Sequence, residues 1–449
     1  MHTTTGVKPD PVTPIESSAA NGRLTAQGDE IDVLGVGFGP ANLGLAIAIE
    51  EANAQLPESL RLSARFLEQN ESFGWHDGML LPETTMQISF LKDLVSQRNP
   101  ASSYSFLSYL HDRDRLTDFI NLKTFFPSRQ EFHDYLCWAA ARVSVPVDYG
   151  ARAVHVEWTD GAFSVTTEMA GGARETVRAK TIVSGMGITP HLPEGVTAGP
   201  RVFHNHCLLE NLDWIPSHDN GRLVVVGSGQ SAAEVAAHLH DVYPDSEIHV
   251  SFRRFGFTPS DDTPYANRIF DPTAVDEFYH APESTKRRLL DYHWLTNYSA
   301  VDADLIEDLY KREYSETVSG RRRLIVHRMT EVLEVTETDD RVSVTLRNMG
   351  SREQTRLDAD AVVFATGFRP GDFRSLLGDG IATEGAFNGS RPEVERDYGL
   401  RLPELPGRVF LNGGVEDSHG LTSSLLSNIA IRAQDILEAV SRRVLRVGV

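Results

Sequence analysis

Asp32-Val33-Leu34-Gly35-Val36-Gly37-Phe38-Gly39-Pro40-Ala41-Asn42 is a β-branched apolar run that ends in a glycine turn and opens a helical pattern. Leu223-Val224-Val225-Val226-Gly227-Ser228-Gly229-Gln230-Ser231-Ala232 repeats that arrangement later in the chain. In such a turn one glycine allows the tight strand-to-helix bend, and a second lets the backbone approach a pyrophosphate at the helix N-terminus. The third position of the fingerprint, where helix and strand pack closely, holds Asn42 in one copy and Ala232 in the other. A single glycine-rich turn of this kind can be an ordinary βα connection that binds nothing. Two in one chain point to two dinucleotides, the pairing expected of a flavoprotein fed by a nicotinamide.

The residues downstream of each turn assign the cofactors. After the first, a strand over Leu62–Leu67 is expected to end at Glu68, an acid placed for ribose hydroxyls. Glu68 stands 29 residues beyond Gly39, more than the usual spacing of roughly 20, and Ala54-Gln55-Leu56-Pro57-Glu58-Ser59 can absorb the excess. This is read as the FAD site. After the second turn the strand Glu247–Phe252 ends in Ser251, Arg253 and Arg254 rather than an acid. Guanidinium groups suit a 2′-phosphate, which an acid would repel, so NADPH is expected over NADH. Cofactor contacts are accordingly expected from Gly37, Gly39, Asn42 and Glu68, and from Gly227, Gly229, Ser231 and Arg253.

Composition narrows the remaining classes. The chain has 449 residues, enough for two or three domains, and 41% apolar content supplies a full core. A formal charge of −20 argues against a nucleic-acid binder. No apolar stretch reaches the roughly 18 residues of a membrane span. Residues 1–29 are rich in Thr, Pro and Ser without an apolar core, and read as a disordered arm rather than a signal peptide; a cytoplasmic location is expected. Cys137 and Cys207 are the only cysteines, so the C-x-x-C of disulfide reductases is missing. His204-Asn205-His206-Cys207 is the densest cluster of metal-binding residue types, but it lacks a second ligand group at recognisable spacing, and no metal is expected.

The expected fold is α/β, with two Rossmann-like dinucleotide-binding domains and a smaller, mostly helical insertion. Residues 30–195 and 350–449 are assigned to the FAD domain, and 196–260 and 315–349 to the NADPH domain. Strands are expected at Ala153–Trp158, Phe163–Thr167, Ala179–Val183 and Asp360–Phe364. Residues 261–314, aromatic and acidic, have no place in a minimal βαβ unit and read as a substrate-binding insertion. A last helix over Leu421–Val440 is expected near the flavin.

Several blocks carry a more specific signal. Trp75-His76-Asp77-Gly78-Met79, Met86-Gln87-Ile88-Ser89-Phe90-Leu91-Lys92-Asp93-Leu94, and the run from Pro259 to Phe270 resemble the microbial N-hydroxylating flavin monooxygenases of ornithine and lysine. Thr296-Asn297-Tyr298-Ser299, Ala365-Thr366-Gly367-Phe368, His419-Gly420-Leu421 and Leu425-Leu426-Ser427 extend the resemblance in the same order. Within that family the blocks look closest to ornithine N5-hydroxylases of hydroxamate siderophore pathways. The Gly-Phe-Gly-Pro-Ala-Asn form of the first turn is the family's own variant, so Asn42 strengthens the resemblance.

The resemblance implies a role for each matching residue. No side chain is expected to be catalytic in its own right; Gln87, Lys92 and Asn297 position the reactants. Lys92 would pair with the substrate's α-carboxylate, Asn267 and Asn297 would fix its α-amino and carboxylate groups, and Ser427 would lie near it. Trp75, His76 and Gln87 would line the cofactor site, with Gln87 between flavin and nicotinamide, and Arg253 would meet the 2′-phosphate. One cation among neutral donors suits a zwitterion. Taken alone, Lys92 also reads as a solvated lysine and the asparagines as caps.

The implied reaction passes a hydride from NADPH to FAD, adds O2 at flavin C4a, and hydroxylates the neutral side-chain amine in a site closed to water. Where the family more often has Ser-Asp-Thr, this chain has Thr422-Ser423-Ser424, which leaves substrate length open among ornithine, lysine and a diamine. A Baeyer–Villiger or sulfur-oxidising monooxygenase is the nearest alternative, and a non-catalytic flavin- or NADP-binding sensor a more distant one. The family also implies a homo-oligomer, tetramer or dimer.

Overall fold

The computed structural model describes residues 30–215 and 221–444; the arm expected over residues 1–29 lies outside them. The first glycine fingerprint forms the strand Ile31–Val36 and the helix Pro40–Gln55. Pro40 falls at the start of that helix, where its missing N–H would have had no helical partner anyway. The helix buries Leu43 through Ile49 without interruption, because the sheet covers one side and the final helix Ile429–Val444 the other. That final helix is amphipathic by contrast: Ile429, Ala433, Ile436 and Val440 are buried at helical spacing. The unusual distance to Glu68 is taken up by the 16 residues of Pro40–Gln55 and a short turn at Glu58–Leu60.

Ile31–Val36 is central in the first sheet. It pairs in parallel with Ala64–Leu67 on one side and with Arg174–Ser184 on the other. Val147–Asp148 extends the sheet beyond Ala64–Leu67, and Val409–Leu411 adds in parallel to Arg174–Ser184. The other half of Arg174–Ser184 carries an antiparallel pair, Ala162–Met169 and Ala151–Thr159.

The second sheet is wholly parallel, in the spatial order Leu324–Arg328, Glu247–Phe252, Arg222–Val226, Ala361–Phe364, Val202–His204. Helix Gln230–Val242 follows the second glycine turn and packs on one face with Val301, Leu305 and Leu309. The other face carries a three-stranded antiparallel sheet, Thr330–Glu337, Val342–Asn348 and Gln354–Ala359, whose Val342, Val344 and Leu346 pack on Val224, Val362 and Phe364. Strands buried on both faces read as continuous apolar runs, as Leu223–Val226 and Ala361–Phe364 do.

Two expected boundaries move. The strand Ala361–Phe364, assigned with residues 350–449 to the first domain, lies between Arg222–Val226 and Val202–His204 in the second. The chain leaves the first unit along Ile188–Pro190 and returns along Phe368–Pro370, and these two segments pair with each other. The helix Ala303–Ser319 runs across the expected end of the insertion at 314, since Leu305, Ile306 and Leu309 are buried on the second unit's core. The insertion proper is thus the pair of helices Pro272–His280 and Glu283–Asn297 with the turn Ala266–Phe270.

Candidate functional site

The two glycine turns are built alike and differ in what crowds them. Gly37 has φ +85°, and a side chain there would meet the Gly185 carbonyl oxygen at 2.5 Å. Gly227 has φ +153°, and a side chain there would collide with the Ala365 carbonyl oxygen. These are the bend glycines. At Gly39 an added Cβ would meet no atom of the described residues within 4 Å, whereas at Gly229 the Ser299 backbone lies at 3.3 Å. Gly39 and Gly229 are the N-caps of long helices, and neither helix receives a side-chain cap. Uncapped amides at the positive end of a helix form an anion site, so both turns fit the pyrophosphate of a dinucleotide.

Glu68 sits at the end of Ala64–Leu67, where its Oε2 accepts from the Phe38 N–H at 2.8 Å and its Oε1 from the Asn70 N–H at 2.9 Å. The carboxylate is therefore locked against the first turn, with lone pairs remaining for ribose hydroxyls. Asn42 is buried, and its Nδ2 donates to the Gly37 carbonyl at 2.7 Å. Its Oδ1 accepts from Asn412 Nδ2 at 3.0 Å, and Asn412 Oδ1 accepts from Arg432 Nε at 2.8 Å. Arg432 Nη1 in turn donates to the Ser423 carbonyl at 2.5 Å. Burial lowers the Arg432 pKa from its ordinary value. Its bonds to neutral oxygens tie the glycine turn to the segment before the last helix.

That segment departs from the expected helix over Leu421–Val440. Leu421–Ser424 and Leu426–Asn428 form short 3-10 turns, and the α-helix starts at Ile429. Ser427 is thus in a turn rather than in the helix. The Ser424 hydroxyl bonds Glu416, which also accepts from the Tyr298 hydroxyl at 3.4 Å. Ser423 Oγ, Ser427 Oγ and Asn428 Oδ1 are buried without a hydrogen-bond partner among the described residues. Buried polar atoms of this kind are uncommon, and three in six residues fit a polar ligand here.

The Met86–Leu94 segment is pinned by Met86 N–H to Pro127 O and Phe90 N–H to Phe125 O, both 2.9 Å. Lys92 is half-buried, and its ammonium has no ion-pair or hydrogen-bond partner among the described residues. Leu94 and Ile429 both lie against Gly44 of helix Pro40–Gln55, which brings the segments of Lys92 and Ser427 to one place. Asn267 is in the turn Ala266–Phe270, packed beside Leu421–Ser424, and its Nδ2 donates to the Asp262 carbonyl at 2.7 Å. Asn297 ends the helix Glu283–Asn297, which packs beside Glu416–His419. No hydrogen bond joins Lys92, Asn267, Asn297 and Ser427 directly among the described residues.

Gln87, by contrast, reaches the second unit: its Nε2 donates to Asp302 Oδ1 at 2.9 Å. Asp302 Oδ2 accepts from Gln230 Nε2 at 2.9 Å, and Gln230 also bonds Glu234 at 3.1 Å. Arg129 from the first unit closes on Glu234 through two bonds of 2.9 and 2.8 Å. Asp302, Gln230, Glu234, Arg129, Asn412 and Arg432 were not legible as site residues. Gln230 at least stood inside the second fingerprint, while Asp302 fell within the expected insertion without a motif of its own.

His76 has φ +58°, lies 6.3 Å from Phe368 ring to ring, and is held neutral by burial with a pKa of about 4. Trp75 packs on it at 4.6 Å. His204 Nε2 bonds the Gly367 carbonyl at 2.9 Å, so the His204–Cys207 cluster buttresses the returning linker. Ser231 is half-buried in the first turn of Gln230–Val242. Arg253 is exposed just beyond Glu247–Phe252, while Arg254 Nη1 is taken by the Ser299 carbonyl at 3.0 Å. Among the described residues no helix is long and apolar enough to cross a membrane.

Comparison with known proteins agrees with this layout. Residues 29–370 match the family described as L-lysine 6-monooxygenase/L-ornithine 5-monooxygenase. An L-ornithine N(5)-monooxygenase of Burkholderia cepacia is 39% identical over 404 residues, 87% of this chain and 89% of that one. The solved ornithine N-hydroxylase of Kutzneria sp. 744, in complex with reduced FAD, NADP+ and L-ornithine, superposes with a TM-score of 0.86 at 40% identity. That match covers 92% of this chain and all (100%) of the other. The ornithine hydroxylase of Pseudomonas aeruginosa gives 0.85 at 36%, covering 93% of this chain and 100% of that chain.

Proposed function

The chain belongs to the L-lysine 6-monooxygenase/L-ornithine 5-monooxygenase family, and from that premise we propose that it hydroxylates the side-chain amine of L-ornithine to N5-hydroxyornithine, using FAD, NADPH and O2. The observation that carries the substrate reading is Lys92, a half-buried lysine whose ammonium has no anionic partner among the described residues. It lies in the segment that also takes Gln87 to the second glycine turn. A cation partly withdrawn from water is stabilised by an anion, and an amino acid's α-carboxylate supplies one where a ketone or thioether does not.

FAD belongs at the first turn, with its pyrophosphate at the amides after Gly39 and its ribose at Glu68. NADPH belongs at the second, at Gly227, Gly229 and Ser231, with its 2′-phosphate at Arg253. When bound, the flavin supplies the reduction and activation of dioxygen. The chain's own residues bind, orient and shelter. Lys92 holds the α-carboxylate. Asn267, whose Nδ2 is occupied by Asp262, presents Oδ1 to the α-ammonium, and Asn297 completes the head-group contacts. Ser427 faces the substrate with an otherwise unpaired hydroxyl. Trp75 and His76 line the flavin's side of the seam, and the neutral state of His76 adds no cation there.

The reacting amine must be neutral, although a free alkyl ammonium has a pKa near 10.4. Burial of the amine away from water lowers that value. Identity to the ornithine enzymes at 36–40% over most of the chain supports ornithine over lysine or a diamine, and hydroxamate siderophore assembly is the use we assign to the product. We place the enzyme in the cytoplasm, where NADPH and free ornithine are available, as a tetramer or dimer.

The experiment is NADPH oxidation with separate measurement of hydroxylated amine and peroxide, using ornithine, lysine and a diamine. Ornithine should give hydroxylated amine with the highest kcat/KM. Preference for lysine or the diamine would overturn the substrate, and peroxide alone from every amine would overturn the hydroxylase.

A further inference from the structure

Asp302 stands at the N-cap of Ala303–Ser319 yet makes no cap bond to that helix. An aspartate there ordinarily accepts from the amides of the first turn. Here the carboxylate is turned outward onto two glutamines instead. Oδ1 takes Gln87 Nε2 and Oδ2 takes Gln230 Nε2, each at 2.9 Å, while the Asp302 N–H donates to Gln230 Oε1 at 2.8 Å. Gln87 comes from the first unit, Gln230 from the second glycine turn, and the Arg129–Glu234 pair closes the same seam. A local helix signal set aside for a contact between units marks a functional constraint.

The chemistry of the groups fixes a direction. An ionised carboxylate only accepts, so the Gln87 amide must turn its NH2 toward Asp302 and its carbonyl oxygen away. That oxygen has no hydrogen bond among the described residues, and Gln87 is exposed at the seam. Gln230 is locked in the same way through both ends of its amide.

Building on the assignment of NADPH to the second turn, we propose that Asp302 is a positioning residue: it orients the Gln87 carbonyl oxygen as acceptor for the carboxamide N–H of the bound nicotinamide. Through Gln230 it couples that orientation to the turn that holds the pyrophosphate. Binding of the nicotinamide dinucleotide is then registered against the flavin's unit by one carboxylate. Loss of the carboxylate frees the Gln87 amide to reverse, which points its NH2 at the carboxamide and weakens retention of NADP+.

The test is a double-substitution cycle on the FAD-loaded protein, with NADP+ affinity read by calorimetry and the division between hydroxylated amine and peroxide read in turnover. Asp302→Asn, close in shape but able to donate, should weaken NADP+ about tenfold, the upper scale of a hydrogen bond between neutral groups, and raise the peroxide share. In a Gln87→Ala background it should add little to either readout. Asp302→Ser, which can cap the helix and so guards its stability, should give the same losses. Unchanged NADP+ affinity, or losses that add fully to those of Gln87→Ala, would overturn the proposal. A wild-type enzyme yielding only peroxide would overturn the hydroxylase reading, and the calorimetric arms would still decide the role of Asp302.

Discussion

Gly39→Ala separates the needs of the fold from those of the cofactor. Gly39 has φ −74° and ψ −174°, a conformation alanine adopts without strain, and an added Cβ would meet no atom of the described residues within 4 Å. Apoprotein stability should therefore rise slightly, by about 0.4–1 kcal/mol, through the smaller entropy of the unfolded chain. The same methyl would stand where the backbone must approach the pyrophosphate. Loss of one charge-assisted bond there costs about 1.5–3 kcal/mol, so FAD affinity should fall roughly 10- to 100-fold. Gly37→Ala is the contrasting case. Its φ of +85° and the Gly185 carbonyl at 2.5 Å should destabilise the apoprotein by about 1–2 kcal/mol for the backbone alone. The assay is thermal unfolding of flavin-free protein together with FAD titration by quenching of flavin fluorescence. A Gly39→Ala variant that binds FAD as the parent does would refute the placement of the pyrophosphate.

Lys92→Ala should weaken ornithine binding by about 2–4 kcal/mol, toward the low end because the side chain is only half-buried, while leaving the rate of flavin reduction by NADPH unchanged; equal loss of both would make Lys92 structural. Arg253→Ala should raise KM for NADPH far more than for NADH, and an unchanged ratio would remove the 2′-phosphate from that arginine. His419 is fully buried against Tyr398, with Nε2 on the Arg396 carbonyl at 3.1 Å, and burial lowers its pKa from 6.5 to about 4. The unfolded chain then binds a proton the folded one refuses. His419 should therefore contribute nothing to the pH dependence above pH 6.5 and should cost up to about 3 kcal/mol as pH falls from 6.5 to 4. Thermal unfolding of His419→Gln should show a flatter decline across that window.

The elements legible in the sequence were those set by local physics. Both glycine turns, Glu247–Phe252 and the β-branched run at Ala361–Phe364 needed only apolar patterning and bend glycines. The partner of Ala361–Phe364 was not legible, because parallel register is chosen by distant strands and one apolar run fits either sheet. The start of the last helix was misplaced for a related reason. Leu421–Asn428 carries helical spacing, but Arg432 takes the Ser423 carbonyl and Glu416 the Ser424 hydroxyl, and these tertiary bonds hold the backbone in short turns. In the candidate site Lys92, Asn267, Asn297 and Ser427 followed from blocks of sequence. Asp302 and Arg432 did not, since one resembles a cap and the other a surface arginine until the chain folds around them.

The most direct measurement of the central claim is a single turnover of FAD-loaded enzyme with NADPH, L-ornithine and isotopically labelled dioxygen, followed by mass spectrometry of the amino acid. An ornithine N5-hydroxylase should yield a product heavier by one labelled oxygen, carried on the side-chain nitrogen, in proportion to NADPH consumed. Unlabelled ornithine recovered beside an equivalent of labelled peroxide would contradict it.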